Sequence, residues 1–279
     1  MDQDPIDALA AEGDRLETLL GGLGPDEWSH PSGCPGWSVS DVVLHLAQTE
    51  EAVVASLGGG AFAAPPAGEA ATIDDLMEAW VVAERDASSD GTFERWCTAR
   101  RRSVEGLRAA APDRPVAWAA APLKPRTLAT TRLSEHWIHA LDIADPLGRE
   151  LPDTARLWHV ARLAHRTIPY AYARAGRDDP PSVYLELEPP GGGEPWTFGD
   201  PDAEDAISGP AGEFCRVAAR RMAPGDTSLV ARGRGRTTCC RWSGPTPRRG
   251  PRSRTRAGNP RTGADGLPRR GGSRSPCPG

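Results

Sequence analysis

The sequence predicts a mainly α protein, a bundle of long helices followed by a small α+β unit, and three observations carry that prediction. Capping signals stand before long runs of helical apolar periodicity through the first 176 residues; after "RDDPP" the pattern changes to the alternation of "SVYLELEPP"; and the last stretch has almost no aliphatic residues. A chain of 279 residues is long enough for two compact units, each with its own core. The expected division is a helical bundle over 1–177, an α+β unit over 178–233 and an Arg/Pro/Gly-rich disordered tail over 234–279.

The first helix is expected from about Ile6 to Leu20, with Ile6, Leu9, Leu16, Leu19 and Leu20 as its stripe, and "GGLGP" ends it. A loop, "DEWSHPSGCPGW", follows. Ser38 stands three residues before Asp41, a capping-box spacing that opens a helix of roughly five turns closed by Gly58 to Gly60. "AFAAPPAGEAA" is a linker. Thr72 with Asp75 opens another helix, and after a break at "SSDG" the pattern resumes through "FERWCTARRRSVEGLRAAAP". The run Arg100, Arg101 and Arg102 reads as a solvated face. "PDRPVAWAAAPLKPR" carries too much proline for a helix or a central strand. Helix returns from about Thr127 to Asp145, stopped by Pro146 and Gly148, and Asp153 caps a further helix that Pro169 kinks. Beyond it, "SVYLELEPP", "PWTF" and "TSLVARG" read as strands, with "GPAGEFCRVAARRMA" as a helix presenting Phe214, Val217, Ala218 and Met222 on one face.

The net charge is −5, but twelve Arg and one acid fall after Gly233, so residues 1–233 carry −16. The folded part is therefore acidic and does not advertise a nucleic-acid surface; nonspecific contact through the tail is the exception. No run of eighteen apolar residues exists and the N-terminus is acidic, so no membrane span or signal peptide is read and a cytoplasmic location is expected. Six scattered cysteines form no C-x-x-C pair and no disulfide framework.

One cluster is out of place on apolar helix faces. His45 lies on the inward stripe of its helix with Val42, Leu46, Thr49 and Val53, where an imidazole must be paired or ligated. Glu135 and His139, at i and i+4, point the same way from adjacent turns, so both can reach one ion, and His45 from another helix completes a three-ligand set with open positions. Two nitrogens and one carboxylate suit Zn, with Fe, Ni and Mn as chemical alternatives. His136 offers a rival pairing with His139 at i+3, but it stands about 100 degrees around the helix from Glu135, so Glu135 with His139 is the preferred pair. Asp142 is expected to orient His139 from behind. His30 reads as a solvated loop residue, His159 and His165 as packing or surface residues, and Trp28 and Trp37 as aromatic packing at the end of the bundle, with lining of the metal cleft as the alternative. Cys34, four residues before the Ser38 cap, is a candidate reactive thiol near the site, although the sequence gives no charged partner to activate it.

Trp28 and "GCPGWSVSDVVLHLAQTE", followed by "RLSEHWIHALDIAD", resemble the DinB-like metal-binding four-helix fold, and within it the mycothiol-dependent maleylpyruvate isomerase branch. The pattern G-W-S/T-V-x-D-x-x-x-H-L with a later E-x-x-x-H-x-x-D carries the likeness over most of residues 5–175. "LWHVARLAHRT" and "ISGPAGEFCRVAARR" resemble a subfamily whose C-terminal part is likened to a domain named for wyosine formation in tRNA. The resemblance implies His45, Glu135 and His139 as ligands of a divalent metal, usually zinc. It also implies mycothiol as the thiol cofactor, a small electrophilic substrate as partner, and isomerase or thiol-transferase chemistry. A noncatalytic metal-binding or ligand-sensing protein on the same scaffold, and a tRNA-modification-related protein, are the alternatives.

The tail departs from everything before it, and the chain as a whole has one lysine, Lys124, among thirty-three basic residues. An abrupt change to Arg, Pro, Gly and Ser after the strand "TSLVARG" reads as a reading-frame shift in a GC-rich gene. Translating the other two frames past codon 232 is expected to restore an amphipathic continuation; no helix-like pattern in either frame refutes the shift.

Overall fold

The computed structural model describes residues 4–60, 72–85, 88–119 and 121–233, all within one compact unit. The expected linker "AFAAPPAGEAA" and the expected disordered tail lie outside the described residues. Four long helices form the bundle. Helix α1 (Pro5–Gly21) starts where the Asp4 carboxylate accepts from the Ile6 amide at 2.8 Å, and Pro5 supplies a preset φ at the first turn. The short helix α2 (Pro25–Trp28) stands where a plain loop was expected, because Pro25 opens it and Glu27 folds back to the Gly24 amide at 2.8 Å. Trp28 is buried against Phe93, with ring centroids 6.0 Å apart.

Helix α3 (Val39–Leu57) carries the expected reciprocal cap: the Asp41 amide donates to Ser38 Oγ at 3.2 Å and the Ser38 amide to Asp41 Oδ2 at 2.8 Å. It is buried on almost every face, because α5 (Ser89–Ala109), α6 (Pro125–Ala144) and α4 (Ile73–Glu84) all pack on it. Thr72 and Asp75 cap α4 in the same reciprocal way, and Ser88 caps α5 by accepting from the Gly91 amide. Pro125 occupies the first turn of α6, which therefore starts slightly before the expected Thr127. Helices α1, α3, α5 and α6 pack around two apolar clusters, one with Leu16, Val43, Leu46, Trp96 and Ile143, the other with Leu9, Val53, Leu107, Leu128 and Leu133.

Three expectations about this region change. Arg100 is not solvated: it is 5% exposed, lies over the Trp96 ring at 5.2 Å and pairs with Asp14 and Glu17, while Arg101 reaches Glu17 from the surface. The helix expected to start at Asp153 begins instead at α7 (Leu157–Arg166), because the Asp153 carboxylate is taken by Arg216 at 2.7 Å. It also breaks at Thr167, and α8 (Ile168–Arg174) starts anew with Pro169 in its first turn, so proline divides the helix rather than kinking it.

The C-terminal part is a four-stranded sheet of order β2-β1-β3-β4, formed by β1 (Val183–Glu188), β2 (Trp196–Phe198), β3 (Asp205–Pro210) and β4 (Val230–Arg232). The β1–β3 pair is parallel and the two outer pairs are antiparallel. β3, "DAISGP", was not expected, and its Gly209 and Pro210 end the strand instead of opening the helix to which the sequence assigned them. Val183, Leu185 and Leu187 alternate inward as the sequence implied. They meet Phe214 and Cys215 of α9 (Ala211–Ala218), Val160 of α7, and Trp137 and Leu141 of α6. One apolar cluster thus runs from the sheet into the helix that carries Glu135 and His139, which is how the C-terminal part comes to bear on the candidate site.

Candidate metal centre

Helices α3 and α6 bring His45, Glu135 and His139 together, and their donor atoms all lie within 4.8 Å of one another. His45 Nε2 is 3.6 Å and His139 Nε2 3.5 Å from the same Glu135 oxygen. Three donors about 2.0–2.1 Å from one tetrahedral ion stand about 3.4 Å apart, so the spacing suits a bound divalent metal. The ring roles suit it as well. His139 Nδ1 faces Asp142 Oδ2 at 3.0 Å, which leaves its Nε2 facing Glu135 and His45. Burial holds the His45 ring below its ordinary pKa and hence neutral, the form in which an imidazole ligates. Burial also opposes ionisation of Glu135, but His139 and His45 outweigh it and keep the carboxyl well below its usual range. Glu135 keeps 39% of its side chain exposed, so this is the side on which the site opens.

His136, the rival partner, points elsewhere. It is fully buried, its Nδ1 donates to the Arg132 carbonyl at 2.9 Å and its Nε2 accepts from Trp96 Nε1 at 3.2 Å. Both nitrogens are thereby used. His30 is exposed, His165 Nε2 lies 2.9 Å from the Val183 carbonyl, and His159 packs edge-on to Trp158, all away from the site.

Asp142 does more than orient His139. It is 2% exposed and takes the Arg221 guanidinium on both oxygens, Nε to Oδ1 and Nη2 to Oδ2, each at 2.6 Å, while Cys34 Sγ donates to Oδ2 at 3.1 Å. Burial raises its pKa, yet His139 and Arg221 prevail and bring it to about 2. Arg221 is the member the sequence did not reveal, and Cys34 stands by the site, where the sequence offered it as a candidate thiol. Arg221 arrives because Arg220, at φ 61°, ends α9 in the left-handed conformation, with Arg220 N bonded to Val217 O and Arg221 N to Arg216 O. Cys34 arrives because Gly33 lets its loop touch α6: the Gly33 amide donates to the Asp142 carbonyl at 2.7 Å, and a Cβ there would lie 2.8 Å from Asp142 Oδ1. The sequence signal for that contact was the "SGCPG" turn, which named the flexibility but not the partner. Cys97 and Cys215, by contrast, are buried, and burial pushes both thiols up.

The same loop places Trp37 against His45, with ring centroids 5.3 Å apart, and its indole N–H bonds Glu78 on α4. Trp37 therefore lines the site as well as packing. His45 Nδ1 is buried with no hydrogen-bond partner among the described residues, so its ring is oriented by packing between Trp37 and His139, whose centroid is 5.1 Å away.

Fold and site together define a helical-bundle protein whose ligand-bearing helices present a candidate divalent-metal centre at the bundle end. Residues 9–144 match the family described as mycothiol maleylpyruvate isomerase N-terminal domain. An uncharacterised protein of Mycobacterium tuberculosis, found in strains CDC 1551 / Oshkosh and H37Rv, is 36% identical over 226 residues, covering 77% of this chain and 84% of the relative. Crystal structures of the mycothiol-dependent maleylpyruvate isomerase and of a histidine-to-alanine mutant of it superpose with TM-score 0.56 at 16% identity, over 81% of this chain and 91% of theirs. The likeness to the solved structures establishes the shared fold. The chain belongs to the mycothiol-dependent maleylpyruvate isomerase family.

Because Trp37 packs on the His45 ring, whose Nδ1 has no hydrogen bond to hold it, Trp37→Ala is expected to weaken zinc binding about tenfold, and Trp37→Phe to leave it near the parent value. Zinc competition titrations against a chromophoric chelator check this; equal affinities for Trp37→Ala and the parent protein would show that the ring is held without Trp37.

Proposed function

We propose that this protein is a divalent-metal-dependent enzyme that activates a low-molecular-weight thiol, mycothiol, for attack on a small electrophilic substrate, in an isomerisation or a thiol transfer. The observation that carries the reading is the convergence of His45 Nε2, His139 Nε2 and one Glu135 oxygen at 3.5–3.6 Å, on the open side of two packed helices. A divalent ion held by these three residues, zinc being well suited to two imidazoles and a carboxylate, lowers the pKa of a thiol so that thiolate is present at neutral pH. The protein's own groups do the rest. Asp142 keeps His139 in the tautomer whose Nε2 is available, Arg221 fixes the Asp142 carboxylate on both oxygens, and Trp37 walls the His45 side. Family membership supports mycothiol as the thiol. The same reading places the protein in the cytoplasm, where small thiols are kept reduced; no helix among the described residues is long and apolar enough to cross a membrane.

Metal content of the purified full chain, measured by plasma mass spectrometry beside His45→Ala and Glu135→Ala, tests the reading. About one equivalent of zinc or another transition metal is expected in the parent and almost none in either variant, with turnover that requires mycothiol. A folded parent protein that holds no metal after reconstitution refutes the proposal; bound metal without thiol-dependent turnover supports a noncatalytic metal-binding or sensing protein instead.

A further inference from the structure

Beneath the candidate ligands, one turn along each helix, lies a buried ion pair that the proposed chemistry does not use. Arg132 Nε donates to Glu50 Oε1 at 2.7 Å, and the two side chains are 3% and 1% exposed. Arg132 Nη2 donates to Thr49 Oγ1 at 2.7 Å, and Thr49 Oγ1 donates in turn to the carbonyl of His45 at 2.8 Å. The guanidinium also sits over the Trp118 ring, 5.7 Å from its centroid. These two bonds from Arg132, both at 2.7 Å, tie α3, which carries His45, to α6, which carries Glu135 and His139.

The pair is an odd choice for stability. Two desolvated charges recover their solvation cost only with full hydrogen bonding, and replacing such a pair with apolar residues is often neutral or stabilising. Beyond Arg132, Glu50 faces the Ser103 hydroxyl of α5 and His136 Nδ1, the latter 3.7 Å from its Oε1, so the pair sits in a wholly buried polar group. What an apolar contact lacks is register. Leucine against leucine tolerates small sliding of one helix along another, whereas a ligand set must be held to within about 0.5 Å. A fork of two hydrogen bonds, one leading to the backbone of His45 itself, removes that freedom.

We infer that Glu50 and Arg132 are positioning residues for the candidate metal centre, fixing the axial register of α3 against α6 so that His45 meets Glu135 and His139, at no gain in folding stability. The inference rests on the metal-site reading above. It differs from a purely structural role in one respect: removing the pair loosens metal binding without loosening the fold.

The test is the full chain carrying Glu50→Leu with Arg132→Met, measured for zinc affinity by chelator competition and for unfolding of the metal-free protein in urea. The expected result is an unfolding midpoint equal to or above the parent's, with zinc bound about tenfold or more weakly. Parent-like affinity overturns the inference, and so does a loss of affinity matched by an equal loss of metal-free stability. Should the double variant not fold, Arg132→Lys keeps the charge and lacks the fork; several-fold weaker binding in a stable protein supports the inference, and parent-like binding overturns it. A parent protein that binds no zinc refutes the metal-site reading itself, and this inference with it.

Discussion

The structure around the site depends on one buried carboxylate, that of Asp142. Three parts of the chain end on it: His139 through Nδ1, the loop before α3 through the Cys34 thiol, and the end of α9 through Nε and Nη2 of Arg221, while the Gly33 amide of the same loop bonds the Asp142 backbone carbonyl. An ionised carboxylate at 2% exposure is costly unless its oxygens are filled, and here each is. Burial raises its pKa, but the bonds from His139 and from the Arg221 guanidinium outweigh it and keep the carboxyl ionised down to about 2. Because the partners are far apart in sequence, the loop, the bundle and the α+β part have to be assembled for Asp142 to be satisfied.

That dependence sets what the site can do. With Asp142 on Nδ1, the His139 ring has its other nitrogen directed at Glu135, and with the loop held at Gly33, Trp37 is placed against His45. One side of the ligand set is thus packed and fixed, while Glu135 remains partly open to solvent. An opening on one side of a rigid donor set is the arrangement a catalytic metal needs, in contrast to the closed coordination of a structural one.

Much of this was legible in the sequence, for local reasons. The caps at Ser38 with Asp41 and Thr72 with Asp75 are spelled out by spacing, and Glu135, His139 and Asp142 share a face because three and four residues make a helical turn. What escaped was what tertiary contact decides. Arg220 takes a left-handed backbone with no glycine to announce it, so nothing pointed Arg221 toward a residue on another helix. Arg100 looked solvated within a run of three arginines, yet Asp14 and Glu17 on α1 make its burial possible. Strand β3 contains glycine and proline, and it exists because β1 and β4 pair with it on either side. His136 could be set aside by helical angle alone; its bond from Trp96 could not be foreseen.

The most direct test of the account is X-ray absorption at the metal edge of the zinc-loaded protein, before and after mycothiol is added. The account predicts a first shell of nitrogen and oxygen neighbours at about 2.0–2.1 Å, two of them imidazole, joined by one sulfur neighbour at about 2.3 Å when the thiol is present. A sulfur neighbour already present without added thiol would place Cys34 among the ligands. That result, or a first shell that mycothiol leaves unchanged, would contradict a site built from His45, Glu135 and His139 and open to a thiol.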